Sequence, residues 1–380
     1  MKKQIAISVG GGYQLAGDKR IDNLEGAFFD QGVQPTFIKP KYKTFADLHT
    51  ITQEFDVAAA RNKFLWLFDD PNNELANETT RPTSPNERQQ AILNTLLIAQ
   101  FHGITDLGVA TPLAFGSREH RYHKEDPENK ANSYDAILSL QGYKNNGASK
   151  FLNIDHHAFA DVLKHKDGVL SNLDMYDLSS IHAMLLEYLK NCEYRINARN
   201  TITIAPDNGA LGRNTILSNL LNIGCEGLLK TREIGTNKIK EQYVSEEAKR
   251  AINGNHVLVF DDIFGTCNTI GTTLMESILP YDPLSVTMFG THTVLDNGGP
   301  EKLTQLSNHD RVNGIYYTNA TYVDPKILGQ PKLHQVDMSQ TIANGIIAAT
   351  TGDRELSSHS KKNKQMKSET VYIYRLTTFQ

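Results

Sequence analysis

Residues 256–272, HVLVFDDIFGTCNTIGT, decide the fold class, because an apolar run ends in two acids and a loop of small and hydroxyl-bearing residues. The run 256–260 predicts a buried parallel strand that delivers Asp261 and Asp262 to its carboxyl end, followed by a helix beginning near Thr272. Adjacent carboxylates can accept hydrogen bonds from the vicinal hydroxyls of a ribose, and the amides and hydroxyls of such a loop suit a phosphate. The alternative is a strand that ends in a solvated acidic turn.

Short apolar runs of strand length recur along the chain and alternate with longer amphipathic stretches. The other predicted strands are 5–9, 63–68, 107–110, 150–154, 201–205, 284–289 and 314–317. Predicted helices include 86–101, with Ser84, Pro85 and Glu87 as an N-terminal cap, and 179–189. This alternation predicts an α/β fold with parallel sheets flanked by helices, and 380 residues predict two domains.

The bulk composition excludes several classes of protein. A net charge of −4 gives no global field that would attract nucleic acid or an anionic membrane. Three cysteines without metal-ligand spacing are typical of free thiols in a reducing cytosol. The amino terminus MKKQIAISVGGG has no signal peptide or spanning helix, so a cytoplasmic location is expected.

Further segments, together with the acidic motif, resemble ribose-phosphate pyrophosphokinases, also called phosphoribosyl-pyrophosphate (PRPP) synthetases, and occur in the same order. Those segments are 83–85 (TSP), 112–121 (PLAFGSREHR), 154–158 (IDHHA), 205–213 (APDNGALGR), 230–232 (KTR) and 290–292 (GTH). The motif at 261–269 is itself similar to the PRPP motif of type I phosphoribosyltransferases. The resemblance spans roughly residues 5–350.

The resemblance implies two phosphoribosyltransferase-like (type I) domains. It predicts a domain over 1–168 with ATP-binding loops, a domain over 169–335 with the PRPP motif, and a carboxyl-terminal helix and lysine-rich tail over 336–380. The polar stretches 118–133 and 230–242 are expected to be exposed active-site loops. It also implies a homo-oligomer built from dimers, with hexamers usual among the resembled enzymes.

The implied reaction moves the β,γ-diphosphoryl group of ATP to the anomeric hydroxyl of a ribose 5-phosphate-type acceptor and releases AMP. Catalysis would rest on positioning and electrostatics, with magnesium accompanying ATP. By resemblance, Lys230 and Arg232 stabilise the transferred group, and His157 is the metal-associated histidine.

The remaining roles are also assigned by resemblance. Arg118 and Arg121 would hold the ATP phosphates, while Phe45 would stack on the adenine and Asp47 would accept from its amino group. The second metal-associated acid falls on Ser171, with Asp174 three residues later as the candidate ligand. The acceptor-binding set comprises Asp207, Asp261, Asp262, Gly265, Thr266, Cys267, Asn268 and Thr269.

The ribose-phosphate loop departs from the resembled family. PRPP synthetases usually carry a third acid and a glycine where this chain has Gly265 and Asn268, and Phe264 and Cys267 are bulky. These changes reduce repulsion toward additional phosphate oxygens. We therefore expect ADP-ribose as the acceptor, as in the ADP-ribose pyrophosphate synthetases of phage NAD-restoring pathways. Ribose 5-phosphate is the simpler acceptor. A non-catalytic regulatory homologue and a phosphoribosyltransferase are further alternatives.

Overall fold

Two six-stranded parallel sheets organise the chain. The computed structural model describes residues 4–10, 19–44, 50–70, 85–116, 135–157, 159–163, 165, 167–232, 239–296 and 298–352. Within these ranges, no helix has the length and apolar character needed to cross a membrane.

Most strands alternate with helices, as the sequence predicts; the exceptions are the consecutive short strands within residues 36–54 and 224–243. The strands are β1 Ile5–Val9, β2 Thr36–Ile38, β3 Lys41–Thr44, β4 Thr50–Glu54, β5 Phe64–Phe68, β6 Leu107–Ala110, β7 Ala148–Ile154, β8 Asp174–Leu178, β9 Thr201–Ala205, β10 Gly224–Gly227, β11 Leu229–Arg232, β12 Ile239–Tyr243, β13 His256–Phe264, β14 Ser285–Thr293, β15 Val312–Thr318 and β16 Leu333–Val336. The α-helices are α1 Arg20–Asp30, α2 Val57–Ala60, α3 Pro85–Phe101, α4 Asp135–Asn145, α5 Phe159–Leu163, α6 Ile181–Asn191, α7 Leu211–Leu221, α8 Glu246–Ile252, α9 Asn268–Thr272, α10 Gly299–Ser307 and α11 Ser339–Thr351. A π-helical turn, Thr273–Ile278, continues α9.

The first unit runs to Ser179 and takes in the chain again from Met338. Its sheet has the strand order β2-β1-β5-β6-β7-β8, and the short antiparallel hairpin β3-β4 is separate from it. Strands β1 and β5 are buried along their whole length, as expected for parallel strands covered on both faces. Helix α11 belongs here because the buried Trp66 side chain on β5 donates its indole N–H to Thr350 Oγ1 at 2.9 Å.

The second unit comprises Ser180–Asp337. Its sheet has the order β10-β9-β13-β14-β15-β16, all parallel, and β11 and β12 form a separate antiparallel hairpin. One face of β13 contributes Val257 and Val259 to a core with α9 and α10, and the other contributes Leu258 and Phe260 to a core with α6 and α7. Side chains of β13 thus alternate between two packed layers.

The unit boundaries differ from the predicted division at residue 169. Strand β8 is the last strand of the first sheet, because Lys150–Ile154 pairs with Asp174–Leu178 in parallel register, so that unit extends to Ser179. The prediction of one exposed loop over 230–242 is also wrong for its described part, where residues 230–232 and 239–242 pair across a hairpin.

Candidate ribose-phosphate site

The acidic motif lies inside a long strand rather than after its end. Strand β13 continues to Phe264 because β14 also continues, with Asp261 opposite Gly290 and Phe264 opposite Thr293. The following helix begins at Asn268, four residues earlier than predicted. The turn between strand and helix is tight: Cys267 has a left-handed φ of 55°.

Asp261 is the less buried acid of the pair. It is half-buried, and its Oδ1 accepts a hydrogen bond from the Asp262 amide at 3.0 Å. Burial raises the pKa of Asp261 well above its usual range, and the neighbouring carboxylates of Asp262 and Asp207 add to the effect. Such a group gains from a ligand that donates hydrogen bonds, because each donor compensates charge that water no longer solvates.

Asp262 faces the opposite layer and is already paired. Its Oδ2 lies 3.2 Å from Nη2 of Arg213, and its side chain is only 4% exposed. Arg213 is on α7, the helix that follows β9. The pair compensates the buried charge and leaves Asp261 as the carboxylate available to a ligand.

A buried asparagine fixes the strand just before the motif. Asn214 Oδ1 accepts from the Phe260 amide at 3.0 Å, and Nδ2 donates to the carbonyls of Phe260 at 2.8 Å and Ala210 at 2.9 Å. Strand β13 pairs with β9 only over 256–258, so Phe260 has no strand partner on that side. The carboxamide therefore replaces the missing β-ladder hydrogen bonds.

Asp207 lies at the same edge of the sheet, in the turn that follows β9. Its Oδ1 accepts from the Ala210 amide at 3.1 Å, which shapes the turn into α7. Because β9 and β13 are parallel neighbours, their carboxyl ends meet at this edge, and Asp207 is close enough to raise the pKa of Asp261. The predicted grouping of Asp207 with the acidic motif is present in the structure.

The loop residues divide into exposed and buried ones. Gly265, Thr266 and Thr269 are half-buried, whereas Asn268 is exposed. The Thr266 hydroxyl accepts from the Asn268 amide at 3.4 Å. Cys267 is buried, and this burial raises the pKa of its thiol to about 12. Cys267 is thus a packed side chain, unlike the acceptor-binding role predicted for it.

Phe264 does not line the loop either. It is buried against Gly290 on β14, where a Cβ atom would lie 2.3 Å from the Phe264 ring. Gly290 has no side chain because the ring occupies that space. The departures that remain accessible to a ligand are therefore Gly265 and Asn268.

The first unit separates two residues that were predicted to share a metal. His157 follows the carboxyl end of β7 and is exposed, whereas Asp174 begins β8. Asp174 is opposite Lys150 in the strand register and lies 3.5 Å from its ammonium. The four residue steps from Lys150 to Ile154 span about 13 Å, so Asp174 cannot join His157 at one ion.

A different acid, Asp177, lies at the edge of the sheet where His157 lies. Asp177 Oδ1 accepts from the amide of His156 at 3.0 Å, next to His157. Within the described ranges, no three His, Cys, Asp or Glu side chains are close enough together to hold a metal ion.

Several predicted residues have no described side-chain geometry. Lys230 and Arg232 are in β11, opposite β12, with their side chains outside the description. The predicted ATP-binding residues Phe45, Asp47, Arg118 and Arg121 also lie outside the described residues.

The first unit contains a second Phe-Asp-Asp turn. It comprises Phe68, Asp69 and Asp70 at the carboxyl end of β5, the third strand in its sheet order, whereas Phe260, Asp261 and Asp262 lie within β13, the third strand of the other sheet. The Asp70 amide donates to Asp69 Oδ1 at 2.8 Å, and the corresponding bond joins Asp262 to Asp261.

Arginines close this second turn. Arg20, on the helix after β1, lies 2.7 Å from Asp70, and Arg88 lies 3.6 Å from Asp69. Gly10 adds to the enclosure, since a Cβ there would lie 2.1 Å from the Asp69 carboxyl carbon. Both acids are buried, so this copy of the turn is a packed structural element.

Comparison with known proteins finds relatives by sequence and by fold. No family model matches the chain. It is 24% identical over 233 residues to ribose-phosphate pyrophosphokinase 3 of Saccharomyces cerevisiae, covering 61% of this chain and 67% of that protein. It is 26% identical over 260 residues to a ribose-phosphate pyrophosphokinase of Sulfolobus acidocaldarius, covering 67% of this chain and 76% of that protein.

The chain is homologous to ribose-phosphate pyrophosphokinases at modest identity. The crystal structure of the phosphoribosylpyrophosphate synthetase of Mycobacterium smegmatis shares its fold, with a TM-score of 0.67 and 16% identity over 92% of this chain and all of that one. The predicted fold of two phosphoribosyltransferase-like domains is confirmed. The names of both relatives support the prediction of an enzyme of the pyrophosphokinase type.

Three residues of this pyrophosphokinase homologue were missed at the sequence level. Arg213 and Asn214, on α7, bind Asp262 and the backbone of Phe260 in β13. Lys302, on α10, binds Asn268 in the loop 265–269. In the sequence, Arg213 is only the last residue of the matching segment 205–213. A basic residue on the helix after β9 is a weak signal, because its pairing with Asp262 can be inferred only once the sheet order is known.

Proposed function

We propose that this protein transfers the β,γ-diphosphoryl group of ATP to the anomeric hydroxyl of a ribose-phosphate compound. The observation that carries the proposal is the edge of the second sheet, where the half-buried Asp261 lies near Asp207 and is followed by a loop of small and hydroxyl-bearing residues. The names of two relatives support the same reaction class.

The site residues have complementary roles in this proposal. Asp261 accepts hydrogen bonds from the ribose hydroxyls and so fixes the sugar ring. The amides and hydroxyls of 265–269 hold the acceptor phosphate. Arg213 binds neither group; it neutralises Asp262 and holds β13 in place.

The chemistry requires one bond to form and one to break. The anomeric oxygen attacks the β-phosphorus of ATP, the bond from that phosphorus to the oxygen bridging it to the α-phosphorus breaks, and AMP leaves with that oxygen. The hydroxyl proton is released to solvent or a base. Lys230 and Arg232 are proposed to neutralise the transferred diphosphoryl group, and magnesium enters as the ATP complex.

The proposed acceptor is ADP-ribose. The loop has a glycine at 265 and an amide side chain at 268, and no carboxylate among residues 265–269 repels additional phosphate oxygens. Ribose 5-phosphate is the second candidate, favoured by the names of the two relatives.

The test measures AMP release from magnesium ATP with ADP-ribose, with ribose 5-phosphate and with no acceptor. We expect acceptor-dependent AMP release, fastest with ADP-ribose. Asp261→Asn should raise the acceptor KM strongly. Asp282→Asn is the matched control, because Asp282 precedes β14 at the opposite edge and forms an exposed pair with Arg311. Absence of AMP with both acceptors would refute the proposed reaction.

Assembly into a homo-oligomer is part of the proposal, by analogy with the resembled enzymes. Light scattering of the purified protein should give a mass that is a multiple of the 42.4 kDa chain. A monomeric mass at the concentration of the activity assay would contradict it.

A further inference from the structure

A positively charged side chain lies directly beside the loop 265–269. Lys302, on α10, donates from Nζ to Oδ1 of Asn268, the exposed loop residue. Its aliphatic chain passes over α9, so that a Cβ at Gly271 would lie 3.3 Å from Lys302 Cε. The lysine is half-buried by this packing, and its ammonium is held next to Asn268.

Backbone contacts fix the start of α10 against the loop. The Leu295 amide donates to the Phe264 carbonyl at 3.0 Å, just before the loop begins. At Gly299 a Cβ would lie 2.6 Å from the Gly265 carbonyl oxygen, so only glycine allows this approach. Lys302 then follows in the first turn of α10, with its amide bonded to the Gly298 carbonyl at 3.1 Å.

The charge of Lys302 is not compensated by an acid. In the part of the chain that the structure describes, no carboxylate forms an ion pair with its ammonium. The nearby Lys326 differs in this respect, because it pairs with Glu301 at 2.8 Å on the exposed surface. Lys302 thus presents a positive charge to whatever the loop binds, at a loop with no acid of its own.

We propose that Lys302 is a specificity-determining residue that binds a second phosphate of the acceptor, and thereby selects a diphosphate diester over a phosphate monoester. This inference rests on the proposed function. The loop 265–269 is short and holds one phosphate, which leaves the Lys302 ammonium for oxygens of the next one. Exchanging the neutral Asn268 oxygen for a phosphate oxygen turns the hydrogen bond of the Lys302 ammonium into an ion pair between opposite charges, which adds a Coulombic attraction.

The experiment compares Lys302→Met, Lys302→Arg and the control Lys326→Met. Two quantities are measured for ADP-ribose and ribose 5-phosphate: kcat/KM in the AMP-release assay, and equilibrium binding by calorimetry without ATP. We expect Lys302→Met to weaken use and binding of ADP-ribose by about 10- to 100-fold. Ribose 5-phosphate should change by less than about threefold, and Lys302→Arg should retain most of the selectivity.

Asn268→Asp provides a second test. It gives Lys302 an ion-pair partner and introduces a charge that repels phosphate, so it should also lower the preference for ADP-ribose. Lys326→Met should leave both acceptors unchanged, since that lysine is at the surface.

Each outcome separates this inference from the proposed reaction. Equal losses for both acceptors after Lys302→Met, or no loss for either, overturn the role of Lys302 and leave diphosphoryl transfer standing. If the unaltered protein turns over ribose 5-phosphate but not ADP-ribose, the role of Lys302 is likewise overturned and diphosphoryl transfer still stands. If neither acceptor yields AMP, the proposed reaction fails, and the calorimetric comparison still decides whether Lys302 selects ADP-ribose.

Discussion

Asn214 should be the most sensitive buried polar residue of the second unit. Its carboxamide supplies both an acceptor and a donor to the backbone of Phe260, directly before Asp261. Replacing Asn214 by alanine leaves the N–H and C=O of the fully buried Phe260 without these partners. Asn214→Asp should be at least as harmful, because a carboxylate oxygen would then face the carbonyls of Phe260 and Ala210.

The expected loss of stability follows from the two backbone groups of Phe260 that lose a hydrogen-bond partner. A buried donor or acceptor that loses its partner costs about 1–3 kcal/mol, so two groups cost about 2–6 kcal/mol. The smaller alanine side chain adds a cavity contribution of the same sign. A domain of this kind is stable by about 5–15 kcal/mol, so the loss is a large share of the free energy of unfolding.

Urea denaturation followed by circular dichroism measures this loss, with the unfolding of each unit treated as a separate transition. Asn219→Ala is the control, since Asn219 is exposed on the same helix and the change in helix propensity is the same. The KM for the acceptor should rise with Asn214→Ala, because the strand end carrying Asp261 is less firmly held. If Asn214→Ala lowers the free energy of unfolding by less than about 1 kcal/mol relative to Asn219→Ala, Asn214 does not hold β13 in place as argued.

Four other outcomes can be checked independently. Asp261→Asn should raise the free energy of unfolding at pH 7 by about 0.5–2 kcal/mol, because the folded protein holds that proton more tightly than the unfolded chain; the gain should vanish below pH of about 4, where both states are protonated. Asp262→Asn should instead destabilise by about 2–4 kcal/mol in urea titrations, since it removes the negative charge that pairs with the mostly buried Arg213. Arg20→Met should cost the first unit about 3–5 kcal/mol for the corresponding reason, again by urea denaturation. Cys267 should react with iodoacetamide at pH 8 far more slowly than the two half-buried cysteines, as followed by peptide mass spectrometry, because its pKa is about 12.

The sheets were predictable because buried parallel strands are nearly continuous apolar runs. The bounds of β1, β6 and β9 match the predicted 5–9, 107–110 and 201–205. Strands β13 and β14 were predicted too short, since each continues beyond its apolar run into polar residues, at 261–262 in β13 and at 291–293 in β14. The polar hairpin β11-β12 gave no apolar signal, and backbone pairing alone defines it.

The motif at 261–269 could be located from the sequence, but the environment of each side chain could not. That Asp262 is neutralised by Arg213 depends on the neighbour relation of β9 and β13, which are separated by about fifty residues of chain. The contact from Lys302 to Asn268 likewise joins residues 34 positions apart. Patterns of period 2 or 3.6 describe single elements and contain no information about such pairs.

The predicted metal pair failed for a geometric reason. Asp174 was the acid three residues after Ser171, the position that the resemblance assigned to the metal-associated acid. In a parallel sheet, however, only residues at the carboxyl ends of the strands share the edge at which His157 lies. Asp174 begins β8 and Asp177 lies near its end, so Asp177 is the one at the histidine edge. Strand bounds accurate to within two residues were needed to distinguish the two.

The measurement that tests the central claim most directly is the stoichiometry of products from magnesium ATP and ADP-ribose, determined by chromatography and mass spectrometry. The account predicts AMP and a doubly phosphorylated acceptor in equal amounts, with the new groups on the anomeric oxygen. Formation of ADP with a singly phosphorylated acceptor would show an ordinary kinase and would contradict diphosphoryl transfer. Equal amounts of AMP and PRPP with ribose 5-phosphate, and no reaction with ADP-ribose, would retain the reaction and contradict the proposed acceptor.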